Sequence, residues 1–296
     1  MNYKDSQGYS LIELMVALLL GLLVSGAALQ LYLTSQVSLG TQSAASQAQD
    51  KGRFAMDQML ADLRRAGETP SNSQYITSQA VGLPSEVATT MNTSWPTSLT
   101  IPPDTDPITG SNAFAVTYYA DPTVATPTDC NGFPTTITAG VSQITNIYFV
   151  AKASSYTTAN PIMSLWCEGN GTVPTGISPS QELLKGINVM RVLYGADNLV
   201  DGVLSPSIWI SDPNSLNMVG PPAVQIPVVG ARVAILVQSD NSMVNLPTQA
   251  TSIQVLNCVV PTNCATTVNL ADGFLRRLFV GSTLLRNNLN PGNTSW

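Results

Sequence analysis

Gly8, Tyr9 and Glu13 are the residues near the start of this chain whose types and spacing could do chemistry. Glu13 stands at the head of an apolar run that continues to Leu33. A carboxylate at the centre of a membrane span costs about 2.5 to 3.5 kcal/mol on insertion scales, and less near an end, so Glu13 wants a cation close by. A cut after Gly8 would free the α-amine of Tyr9, which has the required sign and could meet Glu13 of a neighbouring chain. Ion pairing at Glu13, with a partner amine that a cut after Gly8 would create, is therefore the chemistry this segment could offer.

Elsewhere the reactive inventory is thin. The chain has no histidine, which removes the commonest general base and metal ligand, and with it Ser-His-Asp, Cys-His and zinc-histidine sites. No spacing singles out an Asp/Glu pair, so the chain does not read as an enzyme, and nothing in it asks for a cofactor. The four cysteines, Cys130, Cys167, Cys258 and Cys264, allow about three pairings, among which sequence does not decide. The short Pro/Asn turn between Cys258 and Cys264 makes a local bridge the closure of least entropic cost, which leaves Cys130 for Cys167. The C-x2-C spacing of a zinc site is absent. Disulfides fit an oxidising compartment.

The elements that must carry these residues begin with one long helix. No Asp, Glu, Lys or Arg lies between Glu13 and Asp50, and the first proline is Pro70. Apolar or small residues at Leu33, Val37, Ala44, Ala48, Ala55, Met59 and Leu63 recur at helical steps. Arg64 and Arg65 suit a last turn, Gly67 a C-cap, and Pro70 a stop. The spacing predicts a helix from Tyr9 to Ala66, on the order of 85 Å long at 1.5 Å per residue, with Gly40 and Gly52 as points where it can bend. Its first half is long and apolar enough to cross a bilayer. A plain anchor would explain that length but neither Glu13 nor the polar leader; an ordinary secretory signal would need a shorter apolar stretch and a better exit site than Ser25-Gly26-Ala27-Ala28.

Beyond Pro70 the chain reads as short strands between Pro, Gly, Asn and Thr turns. Strands are predicted at Ala113–Tyr119, Ile144–Ala151, Met163–Cys167, Val189–Tyr194, Arg232–Gln238, Ile253–Val259 and Leu275–Val280, with a helical turn or two at Ser180–Ile187 and an extended loop over Thr69–Gly110. Only 10 % of the 296 residues are charged and the net charge is −6, a balance that suits a secreted, loop-rich β protein. No basic residue lies between Arg65 and Lys152, which speaks against nucleic-acid backbone binding by that region. The basic clusters at Lys51, Arg53, Arg64 and Arg65, and at Arg276, Arg277 and Arg286, are expected to pair with acidic faces of neighbouring subunits.

Gly8-Tyr9-Ser10-Leu11-Ile12-Glu13-Leu14 resembles the class III signal of type IV prepilins. Asp62-Leu63-Arg64-Arg65-Ala66-Gly67, Leu183 to Gly195, Val228 to Val233, and Asp272 to Phe279 with Leu285-Arg286-Asn287 are, as an ordered set, similar to the PilW-type minor pilins of the type IV pilus. The resemblance implies an α+β, type IV pilin-like fold, with a long N-terminal helix packed on a C-terminal antiparallel β-sheet domain. It divides the chain into a leader over 1–8, a helix over 9–67 (transmembrane over 9–33, amphipathic over 34–67) and a β-rich domain over 68–296. It implies cleavage between Gly8 and Tyr9, N-methylation of Tyr9, and a subunit contact at Glu13. The implied partners are a prepilin peptidase, the inner-membrane assembly platform, and other minor and major pilins, with no direct nucleic acid. The implied course is a single-pass inner-membrane protein, its domain periplasmic, that passes into a surface pilus and serves filament assembly, and through it twitching motility and adhesion. A type II secretion pseudopilin and a tip-displayed adhesin are the alternatives. Where the family often carries an Asp-rich loop, this chain has Asp197, Asn198 and Asp201 around Leu199; these could supply calcium with three oxygens, but an Asx-type turn is the better reading and no metal is expected.

Overall fold

The computed structural model describes residues 10–68, 81–82, 113–123, 126–138, 140–155, 162–196, 206, 208–210, 228–240, 255–256 and 273–285. Its single long helix, α1, runs Leu11–Arg65. Nothing interrupts it because no proline and few β-branched residues occur in that span, and the Ser10 carbonyl accepts the first amides, from Glu13 and Leu14. The helix ends where Gly67 takes a positive φ of 72°. There the Gly67 N–H passes to the carbonyl of Thr117, 2.9 Å away, and Tyr119 N–H donates to Glu68. The helix exit is thereby stitched to a strand.

Among the described residues ten strands follow: β1 Val81–Gly82, β2 Phe114–Ala120, β3 Ile137–Thr138, β4 Val141–Lys152, β5 Met163–Gly169, β6 Ser180–Lys185, β7 Ile187–Ala196, β8 Ile208–Ile210, β9 Val228–Gln238 and β10 Arg276–Leu284. One six-stranded sheet has the order β1-β2-β4-β5-β6, with β3 paired to β4; a four-stranded sheet has the order β10-β9-β7-β8. Every pairing is antiparallel. The arrangement is α+β, a long N-terminal helix against a C-terminal antiparallel β domain.

The chain changes sheets at Gly186, which joins β6 to β7 with a φ of 85°. Its N–H donates to Met163 of the first sheet, and its carbonyl accepts from Gln238 of the second. A side chain there would be strained by the backbone and would also meet the Gln238 carbonyl.

One core joins α1 to the facing sides of both sheets. The helix contributes Ala48, Ala55, Met56, Met59 and Leu63; the first sheet Phe114, Ile144, Tyr148 and Leu165; the second Ile187, Met190, Tyr194 and Ile235. Phe114 and Tyr148 stack with ring centroids 5.2 Å apart. Fully burying a side chain such as Leu63 or Met59 contributes about 1.5 to 3 kcal/mol. Helix and β10 come close because glycines face each other's elements: a Cβ on Gly52 would run into the Phe279 ring, and one on Gly281 into Met56 and Leu60. Gly52 is thus a packing contact, where a bend was expected.

The structure corrects other expectations. The helical stripe holds from Ala44 onward, but Leu33 and Val37 are exposed, since the domain covers the helix only from Ala44. Ser180–Ile187 is not a helical turn: Ser180–Lys185 is a strand, paired with β5. Its helix-forming residues give way to ladder hydrogen bonds because pairing to β5 decides the conformation. Within Thr69–Gly110, Val81 and Gly82 pair with Val116 and Ala115. Of Ile253–Val259 only Val255 and Leu256 are described, and they carry no strand.

Candidate assembly surface and the seat of the helix

From Leu11 to Leu33 the helix presents apolar side chains nearly all round, with Leu11, Leu18, Leu22, Leu23, Val24 and Leu31 each at least 66 % exposed. Its most apolar 18-residue window has a mean hydropathy of 2.3. That is long and apolar enough to cross a membrane, and it fits anchoring there. Glu13 lies in the first turn. A negative charge at that end is favoured by the helix dipole, and no cation stands beside it among the described residues. Gly8 and Tyr9 lie outside the described residues, as do Cys258, Cys264, Asp197, Asn198 and Asp201. Among the described residues, no three His, Cys, Asp or Glu side chains gather to hold a metal ion.

From Ala44 to Ala66 the helix is instead half buried, and two polar contacts fix its position. Lys51 pairs with Asp240 at the end of β9. The other contact is a buried cluster that sequence reasoning missed. Asp62 is 7 % exposed, and its Oδ2 accepts from Tyr148 Oη at 2.6 Å and from Asn146 Nδ2 at 2.7 Å. Tyr118 Oη reaches its Oδ1 at 3.5 Å. Tyr118 in turn lies under the Arg65 guanidinium, 4.0 Å from its ring centre. Asn146 and Tyr148 sit two apart on the same face of β4, so both meet the helix.

Burial pushes the Asp62 carboxyl above its ordinary value; hydrogen bonds from Tyr148 and Asn146 and the Arg65 charge oppose this without cancelling it. Burial and the neighbouring Asp62 charge likewise push up the hydroxyls of Tyr118 and Tyr148. The Tyr148 phenol therefore stays protonated and donates. One sign of the cluster was legible in the sequence. Asp62 falls between Met59 and Leu63 on the apolar stripe, a position where a carboxylate must find partners.

Lys51 and Arg65 make their ion pairs within the chain, with Asp240 and Glu68, because folding brings carboxylates of this chain to them before any neighbour is needed.

Cys130 and Cys167 are joined in a disulfide. Asp129, 6 % exposed, shapes the loop around it. Its Oδ1 accepts the amides of Asn131 and Phe133, and its Oδ2 that of Gly171, each at 2.9 Å. Asn131 Nδ2 donates to the carbonyls of Cys167 and Pro179. The Cys130 N–H donates to Asn146 Oδ1 at 2.9 Å, so the loop touches the same asparagine that serves Asp62.

Comparison with known proteins adds two findings at the two ends of the chain. Residues 147–287 match the family described as type IV pilus-assembly protein W. Residues 3–29 match the prokaryotic N-terminal methylation motif. A search among curated proteins and one among solved structures each gave no match. The methylation motif covers most of the apolar half of α1, and the family match runs from Ile147 within β4 through β10, which includes strands that pack on the helix's other half. The exposed apolar helix and the antiparallel β domain go with both matches, which together support a PilW-type minor pilin of the type IV pilus.

Proposed function

We propose that this subunit joins other minor pilins in a complex that primes filament assembly. A prepilin peptidase first removes residues 1–8 and methylates the new amine of Tyr9. Until then the chain is held by the inner-membrane span over 9–33, with residues 68–296 on the periplasmic side, where the assembly platform takes it up. In the pilus it meets major pilins at the cell surface.

The observation that carries this reading is the division of α1 into two halves. The domain buries one face from Ala44 onward and leaves the helix from Leu11 to Leu39 bare on every side. A soluble domain has no use for that surface, whereas a subunit passed from lipid into a helix bundle uses it twice. Glu13, at the entrance of the bare half, sets the register by pairing with the amine of an adjacent Tyr9. That contact gains strength away from water.

The test is to delete the chain and count surface filaments. Loss of filaments supports priming. Normal filament numbers with lost attachment would sink the priming role in favour of a tip-displayed binding subunit, and normal filaments with impaired protein secretion would favour a secretion pseudopilin.

A further inference from the structure

Asn146 is 1 % exposed and lies between two parts of the molecule that are distant in sequence. Its Oδ1 accepts the Cys130 N–H at 2.9 Å and its Nδ2 donates to Asp62 Oδ2 at 2.7 Å. A backbone N–H can only donate, so it must face the amide oxygen. The amide nitrogen is then forced toward the helix. The Cys130 N–H thus decides which way Asn146 points, and Asn146 decides whether Asp62, buried against β4, has its second donor.

What holds the Cys130 N–H in place is the bond to Cys167, on the strand beside β4. The loop is also tied by hydrogen bonds from Gly171 to Asp129 and from Asn131 to the Cys167 and Pro179 carbonyls. Those compete with water at the partly exposed loop, whereas the covalent bond does not.

We propose that the Cys130–Cys167 bond controls how firmly the end of α1 is seated, acting through Asn146. Closed, the bond keeps the asparagine turned to Asp62. Open, it frees the loop, Asn146 loses the contact that orients it, and the helix from Met59 to Ala66 loosens from β4. Opening by a dithiol reductant breaks the S–S bond, delivers two electrons and two protons to give two thiols, and leaves the reductant as its own disulfide. Closing in an oxidising compartment reverses this, with an oxidised dithiol taking the electrons. The seat is thereby completed only after the domain has reached that compartment. The inference stands on these contacts and does not depend on the priming role.

Amide hydrogen exchange on the full chain in detergent micelles tests it, oxidised and after reduction with a dithiol. The expected result is faster exchange over residues 59–66, by roughly tenfold, the size a lost charge-assisted hydrogen bond produces. Residues 48–55, held by Lys51 and Asp240, serve as the internal control and should not change. Asn146→Ala in the oxidised protein should speed exchange at 59–66 by itself, and reduction should then add nothing. The Cys130→Ser, Cys167→Ser double variant repeats the reduced state without reagent. Unchanged exchange at 59–66, an equal rise along the whole helix, or additive effects of Asn146→Ala and reduction would each overturn the proposal.

Discussion

Replacing Tyr148 with phenylalanine removes one oxygen and little else. The ring keeps its stack on Phe114 at 5.2 Å, and its volume hardly changes, so no cavity opens. What disappears is the 2.6 Å bond to Asp62 Oδ2, the shortest that the buried carboxylate accepts. A hydrogen bond to a charged group contributes about 1.5 to 3 kcal/mol, and a buried acceptor left short of donors costs more than a bond between neutral groups. We expect Tyr148→Phe to destabilise the domain by about 2 kcal/mol, or on the order of 4 to 8 °C in Tm for a domain of this size. The effect should depend on pH, with a sign set by Asp62. Its carboxyl is raised above the ordinary 3.8 by burial, so the folded state holds the proton more tightly than the unfolded chain does. The group's favourable contribution is then complete below 3.8 and is lost as pH rises through the raised folded value. Tyr148→Phe takes a donor from the charged form, so the deficit should be full at neutral pH and shrink on acidification. Denaturant unfolding of the full chain at neutral and acidic pH measures both. A deficit under about 0.5 kcal/mol at neutral pH, within the range of ordinary surface substitutions, would refute the reasoning, as would one that grows in acid.

The remaining expectations concern packing, covalent structure and assembly. Gly52→Val should destabilise by about 1 to 3 kcal/mol through overlap with the Phe279 ring. Adding Phe279→Ala should recover part of that in thermal unfolding; a Gly52→Val protein as stable as its parent would show that the close approach is not tight. Gly8→Val should leave the leader attached, and an intact mass beginning at Tyr9 would contradict this. Peptide mapping without reduction should find Cys258 joined to Cys264, and a link from either to Cys130 would reject that pairing. Glu13→Ala should leave the domain's Tm unchanged and ease membrane insertion, since a charge leaves the lipid. Processed Glu13→Ala protein should nonetheless co-purify poorly with other pilins, and cross-links equal to those of the parent would count against the register role.

Local chemistry alone made much of this chain legible. The apolar run behind Glu13, the absence of charge up to Asp50, and Arg64, Arg65 and Gly67 before Pro70 define the helix to within two residues at its start and one at its end, Leu11–Arg65 against Tyr9–Ala66. Propensity, capping and charge act within a few residues, so they can be read in order along the chain. The strands of β2, β4, β5, β7, β9 and β10 were visible for the same reason, through runs of β-branched and aromatic residues. What the tertiary structure decided is pairing. Ser180–Lys185 became a strand because β5 offered it a ladder, and Gly52 became a contact because Phe279 arrived from more than two hundred residues away. Tyr118, Asn146 and Tyr148 look ordinary in sequence, and Asp62 shows there only as a carboxylate on the apolar stripe. Only the folding of β2 and β4 against the helix buries the carboxylate among its donors, and the cost of leaving such a group unpaired is what makes that arrangement specific.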